Sequence, residues 1–143
     1  MTEMPKSDPG AISTASTAAR YAVYVPIPPL PDEDRDDLAL QLVVNGPMVP
    51  RTGDLLNFDG PRGRNLALIV TQVEHSFSSE PGRTPMVHVT AELDNSPIAQ
   101  RIARDLLDLI AFKRWVDAFP TVEFPAHLRS VYEHDLRARN ESE

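Results

Sequence analysis

The sequence contains no cysteine, so it can form neither a disulfide bond nor a metal site with thiolate ligands. It also lacks a long apolar run: the longest, Leu66 to Val70, is far shorter than the roughly 20 residues that span a membrane. Residues 1–20 do not have the basic and then apolar order of a secretory signal peptide. These absences are compatible with a reducing cytoplasm, so we expect a cytoplasmic protein with no membrane partner.

Lysine is scarce as well, because only 2 lysines accompany 12 arginines, a preference typical of GC-rich bacterial or phage genomes. The 21 acidic residues outnumber the basic ones and give a net charge of −7. An acidic chain repels phosphate backbones and anionic lipids, so nucleic acid is not expected as a partner. The motifs G-x-S-x-G and H-E-x-x-H are missing too, and no carboxylate pair can be assigned to one cleft. We therefore expect no enzyme, no cofactor and no metal site.

At 143 residues the chain is long enough for one domain with its own hydrophobic core. Residues 1–19 are rich in Ser, Thr, Ala and Pro, and we expect a disordered tail there. Residues 20–139 are predicted to form a single α+β domain, and residues 140–143 are predicted to fray. Within the domain, residues 20–94 form the β part and residues 96–139 form the helical part.

Five short apolar runs, separated by turn residues, indicate a small all-β unit. These runs are residues 21–27, 38–44, 54–58, 66–77 and 86–93. Most of the connections are short, so we predict five antiparallel strands in an up-and-down meander. Such a sheet curls or closes into a small barrel of the SH3-like or OB-like type, and the SH3-like type is favoured.

The hydrophobic period changes from strand to helix spacing after Leu93. Ser96 and Pro97 mark a helix start, because a serine side chain caps free amide groups and proline fits the first turn. One helix is predicted from Pro97 to a point before Pro120, lying across the sheet and closing the core. Its apolar stripe comprises Ile98, Ile102, Leu106, Leu109 and Ile110.

A second C-terminal helix is predicted from about Ala126 to Arg139, after the extended linker at residues 120–125. Two helices joined by a short linker pack as neighbours, and aromatic side chains are the largest apolar surfaces available there. We expect one aromatic cluster to join the two helices, made of Trp115, Phe119, Phe124 and Tyr132.

The glycine-rich stretch FDGPRGRN, residues 58–65, is a turn between the third and fourth strands rather than a nucleotide-binding loop. A P-loop needs a lysine after its glycines and a helix behind it, whereas here an apolar strand follows at once. Two interpretations remain for Arg62 and Arg64: they grip a phosphate, or they balance charge locally. Local charge balance is favoured.

The densest charge cluster is DEDRDD at residues 32–37, which follows three prolines that stiffen the chain. An EF-hand loop requires glycine where Asp37 stands and glutamate where Val43 stands, so only a looser Mg²⁺ or Ca²⁺ site remains as an alternative. In a meander the first and third connections emerge at one end, so the acidic run and the arginine turn should attract each other there. The partner-binding residues predicted from this placement are Asp32, Glu33, Asp34, Asp36, Asp37, Arg62 and Arg64.

His75 and His88 lie on neighbouring strands, but the alternation of side chains places them on opposite faces of the sheet. On the fourth strand, Ile69 and Val73 share the face of His75, so we expect His75 to be half-buried. Residues on opposite faces cannot bind one metal ion.

Three classes of function fit this sequence. The leading hypothesis is a non-catalytic protein–protein interaction module, such as an adaptor, an assembly component or an inhibitor, which binds a protein through the acidic loop; a basic partner would suit the charge of this loop. The alternative is a nucleic-acid-binding small β-barrel, whose best support is Arg51 and Arg83 at the end opposite the acidic run. The third is a small-molecule or metal-binding barrel. The sequence leaves the oligomeric state unknown.

Overall fold

In the computed structural model, which describes residues 19–142, a curled six-stranded half-barrel sheet packs against three helices. The tail expected over residues 1–19 lies outside the described residues, apart from Ala19 at the start of the first strand. The strands are β1 (Ala19–Pro26), β2 (Ala39–Gly46), β3 (Leu55–Phe58), β4 (Leu66–Ser76), β5 (Met86–Leu93) and β6 (Val122–Glu123). The first five coincide with the five predicted strands, and β6 lies in the stretch predicted as a linker.

The strand order in the sheet is β3-β4-β5-β1-β2-β6, and β1 pairs with β5 in parallel. All other pairings are antiparallel. The prediction of a five-stranded antiparallel meander was therefore wrong, and the sheet matches an SH3-like or OB-like barrel only roughly. Alternating polarity shows which face a strand buries, but it does not show which strand lies beside it.

The core lies between the inner face of the sheet and the helices. On β1, Tyr21, Val23 and Val25 point inward, since alternate side chains of a strand face the same way. From the helical side, Phe112 and Val116 meet this face and are almost completely buried. The alternation of apolar residues along β1 thus indicates which side chains face the core.

The helices are α1 (Pro97–Asp105), α2 (Leu109–Asp117) and α3 (Arg129–Glu141), with short 3₁₀ turns at Pro61–Gly63 and Ala126–Leu128. The predicted start of α1 is confirmed, because the Ser96 hydroxyl accepts a hydrogen bond from the Ala99 amide at 3.1 Å.

The single helix predicted from Pro97 towards Pro120 is in fact two helices, so the count of two C-terminal helices was wrong. Helix α1 ends at Asp105, and Asp108 caps the start of α2, because its side chain accepts a hydrogen bond from the Ile110 amide at 3.3 Å. The stripe also differs: Ala99, Ala103 and Leu106 are buried, whereas Ile98 is 69% exposed. The small alanines let α1 approach the sheet closely.

The predicted aromatic cluster is confirmed. The Trp115 and Phe119 ring centroids are 4.9 Å apart, and those of Phe124 and Tyr132 are 5.6 Å apart. Phe112 connects the two pairs, because it lies 6.2 Å from Trp115 and 5.8 Å from Phe124. The cluster joins α2 to α3 and to the segment between them.

None of the helices within residues 19–142 has the length and apolarity to cross a membrane.

Candidate functional site

Three segments emerge at one end of the sheet. Because β1 is parallel to β5, and β4 is antiparallel to both β3 and β5, strands β1, β3 and β5 run in the same direction. The acidic loop (residues 27–38), the basic turn (residues 59–65) and the start of α1 therefore share an end. The alternation of strand directions predicted this for the two loops, although the meander itself was wrong.

The acidic loop is held by Arg104 of α1. One guanidinium nitrogen of Arg104 donates to both carboxylate oxygens of Glu33 at 2.7 Å, and another donates to the Pro28 carbonyl at 2.9 Å. Glu33 also accepts a hydrogen bond from the Leu30 amide at 3.0 Å. The Leu30 amide and the Arg104 guanidinium stabilise the charged carboxylate and lower the pKa of Glu33. Glu33 therefore ties the acidic loop to α1, and we call its contact with Arg104 the lock.

The remaining carboxylates of the loop are turned towards solvent. Asp37 is exposed and forms an ion pair with its neighbour Arg35 at 3.4 Å. Asp32, Asp34 and Asp36 are exposed as well, and within residues 19–142 they form no ion pair. Arg104 thus holds the loop at Glu33, while the three unpaired carboxylates of the same loop face solvent.

The basic turn is built around the side chain of Trp115. The indole nitrogen of Trp115 donates to the Arg64 carbonyl at 2.8 Å, and the Asn65 side chain accepts from the Gly60 amide at 3.0 Å. Gly60 lies so close to the indole that a Cβ atom there would overlap Trp115 and the Arg64 carbonyl oxygen. Arg62 occupies the left-handed region, with φ of 60° and ψ of 32°. The glycine-rich stretch is a turn, as predicted.

Helix α1 lies between the acidic loop and the basic turn and binds both. Arg104 holds Glu33, and the adjacent Asp105 forms an ion pair with Arg64 at 3.3 Å. We expected the acidic run and the arginine turn to attract each other directly, and none of the ion pairs in the described part of the chain joins them. Each is instead neutralised in part by the oppositely charged residue of α1.

The histidines lie on opposite faces, as the side-chain alternation predicted. His75 pairs with Val87 on the inner face, whereas His88 points to the outer face. A β-bulge between Val70 and Gln72 shifts the phase of β4, so Ile69 is exposed on the outer face, contrary to the prediction.

His75 is exposed rather than half-buried, as are its neighbours Glu74 and Ser76 at the end of β4. Across residues 19–142, no group of three or more His, Cys, Asp or Glu side chains could hold a metal ion.

Sequence reasoning missed Arg104, Asp105 and Trp115 as residues that shape this end of the sheet. Arg104 and Asp105 stand outside the apolar stripe predicted for the helix, where charged residues usually face water alone. The one available signal was the length of the acidic loop, because a long polar loop beside a helix needs partners for its backbone groups. The exposure of the aspartate side chains in the acidic loop could be predicted without tertiary information.

No family model matches the chain, and comparison with curated proteins and with solved structures finds no match either.

Proposed function

We propose that this protein is a non-catalytic protein–protein interaction module, an adaptor, assembly component or inhibitor, whose acidic loop binds a basic surface of a partner. The observation that carries the proposal is the lock between Arg104 and Glu33. It fixes the loop while Asp32, Asp34 and Asp36 stay exposed and unpaired within the described part of the chain.

A fixed loop favours binding, because a partner need not bear the entropic cost of ordering it. The lock consists of two charge-assisted hydrogen bonds from Arg104 to the carboxylate of Glu33. The two side chains are only 22% and 24% exposed. The three prolines Pro28, Pro29 and Pro31 restrict the approach to the loop further. The backbone of the loop that carries the carboxylates is thus restrained in the free protein.

The charges around the loop support specific recognition. The net charge of −7 attracts basic partners over a distance and accelerates their encounter. Arg62 and Arg64, across α1, place positive charge at the border of the same end of the sheet. A partner with acidic groups at that border is favoured and one with basic groups there is repelled.

The nucleic-acid alternative draws less support. Arg51 and Arg83 do belong to the connections at the opposite end of the sheet, which follow β2 and β4. Arg83 lies beside Glu80 at 3.2 Å, and the net charge of −7 repels the phosphate backbone of a nucleic acid.

The test begins with affinity capture from the native host, followed by binding kinetics with the purified captured protein at two salt concentrations. Neutralising Asp32, Asp34 and Asp36 to asparagine should slow association about tenfold or more at low salt and flatten its salt dependence. Replacing Arg104 by methionine keeps all three carboxylates but frees the loop, so it should weaken binding mainly through faster dissociation.

The matched control neutralises three exposed carboxylates elsewhere, Glu74, Glu133 and Glu141, to glutamine. It changes the net charge by the same amount and should leave association nearly unchanged. Equal slowing by both triple variants would show that only overall charge matters and would overturn the role of the loop. Capture of no partner by the wild type would count against the interaction module itself.

A further inference from the structure

A cleft of about 350 Å³ separates the basic turn from α2. The helix contributes one face at a spacing of three and four residues, and the turn contributes the opposite wall. The lining residues are Pro61, Arg62, Arg64, Leu106, Ala111, Arg114, Trp115 and Ala118. The cleft lies on the far side of α1 from the acidic loop and does not share its residues.

Positive charge dominates the walls. Arg62, Arg64 and Arg114 all line the cleft, and the only carboxylate paired with any of them within residues 19–142 is that of Asp105. This pair involves Arg64 at 3.3 Å, and both side chains are about half-exposed, so it is easily exchanged for another anion. Three guanidinium groups against one carboxylate leave an excess of positive charge on an acidic protein.

The backbone at Arg62 is unusual for an arginine. Its φ of 60° and ψ of 32° lie in the left-handed region, which is strained for any residue with a Cβ atom. Glycine would occupy this position without that strain. The turn therefore carries an arginine at a position where the backbone conformation favours glycine. Such backbone strain clusters at binding sites.

The floor of the cleft is apolar. Leu106 and Trp115 are 1% and 2% exposed, and the indole is fixed by its hydrogen bond to the Arg64 carbonyl. Ala111 and Ala118 leave room above this floor, because larger side chains at those positions would fill the cleft. A ligand here meets cations at the rim and apolar surface beneath them.

We infer that this cleft binds a phosphate monoester whose small apolar organic group rests on Leu106 and Trp115. Guanidinium groups match phosphate oxygens with two parallel hydrogen bonds, and a doubly charged phosphate suits several arginines better than a single carboxylate does. The inference goes beyond the proposed function and does not depend on it, since the carboxylates of the acidic loop take no part.

The test measures binding of phenyl phosphate to the full chain by isothermal titration calorimetry and by Trp115 fluorescence. We expect a Kd of roughly 1 mM or tighter, weaker binding of inorganic phosphate, and no binding of phenol. Absence of phenyl phosphate binding at about 10 mM would overturn the inference. Inorganic phosphate binding as tightly as phenyl phosphate would overturn the part assigned to the apolar floor.

Two variants test the arginines, each with a matched control. Arg62→Gly removes one cation and also relieves the left-handed strain, so its thermal stability should not fall while phenyl phosphate affinity falls about tenfold. Arg114→Ala should weaken binding similarly. The controls Arg101→Ala and Arg137→Ala remove exposed arginines outside the cleft and should leave affinity unchanged. Equal weakening by all four would indicate unspecific charge attraction and overturn the site.

A third variant separates the two parts of the ligand. Ala118→Leu narrows the cleft at an exposed position, so it should reduce phenyl phosphate affinity while leaving inorganic phosphate binding intact. Equal effects on both probes, or none on either, would contradict the role of the floor. A phosphotyrosine peptide distinguishes the source: tighter binding than phenyl phosphate indicates a phosphorylated protein, and weaker or equal binding indicates a free small molecule.

Discussion

Replacing Gly60 by alanine should destabilise the protein by about 2–6 kcal/mol, although its backbone suits any residue. Its φ of −87° and ψ of 172° are ordinary extended values, so no backbone strain arises. The added methyl group would instead overlap the indole nitrogen of Trp115 and the carbonyl oxygen of Arg64. It would break the hydrogen bond that these two atoms form and force the turn away from α2.

Each part of this magnitude has a separate physical origin. Leaving the buried Trp115 nitrogen without its acceptor costs about 1–3 kcal/mol. Pushing an extra methyl group into a packed region costs about 1–3 kcal/mol more. Urea denaturation followed by circular dichroism measures the sum, and the fluorescence of Trp115 reports the local change, because it is the single tryptophan of the chain. Its emission should shift to longer wavelength as water reaches the indole.

Gly63→Ala, in the same turn, is the matched control. Gly63 has a positive φ of 73°, and among residues 19–142 no atom lies within 4 Å of an added Cβ, so strain alone should cost about 1–2 kcal/mol. In a Trp115→Phe background, Gly60→Ala should cost at least about 1 kcal/mol less than in the wild type, because the clash with the indole nitrogen is gone. A Gly60→Ala cost below that of Gly63→Ala, or an unchanged cost in the Trp115→Phe background, would refute the reasoning.

Three further predictions concern the helices and the lock, all measured by chemical denaturation. Leu106→Ala should cost about 2–5 kcal/mol because the side chain is buried, whereas exposed Ile98→Ala should cost less than about 0.5 kcal/mol; equal costs would contradict the observed packing of α1. The pKa of Glu33 is lowered from its ordinary value of 4.5, so the charged carboxylate stabilises the fold at pH values above 4.5. This contribution is lost as the pH falls through the lowered pKa. Glu33→Gln should therefore lose less stability than the wild type between about pH 6 and about pH 3, and a parallel loss would contradict the lock. Asp108→Ala should cost about 0.5–2 kcal/mol, since Asp108 caps α2 and pairs with Arg139 at 3.2 Å, and an unchanged stability would contradict the cap.

The sequence alone determined the local features of this protein. The cap at Ser96 and Pro97, the five apolar strands and the turn at residues 58–65 were all predictable, because each depends on neighbours within a few residues. The exposed carboxylates of the acidic loop were predictable for the same reason.

Only the tertiary structure decided what the distant segments do to one another. The parallel pairing of β1 with β5, and the addition of β6, depend on contacts between residues far apart in the chain. The bulge beside Val70 places Ile69 and His75 on opposite faces of the sheet, because one extra residue shifts every later side chain of β4 to the other face.

The candidate site divides in the same way. The sequence shows that Glu33 and Arg64 are charged and lie in loops, but it cannot show that Arg104 and Asp105 of one helix bind them. Nor can it show that Trp115 fixes the turn that carries Arg62 beside Arg114. Charge acts between whichever groups the fold brings together, and that proximity is set by packing of the whole core rather than by any local pattern.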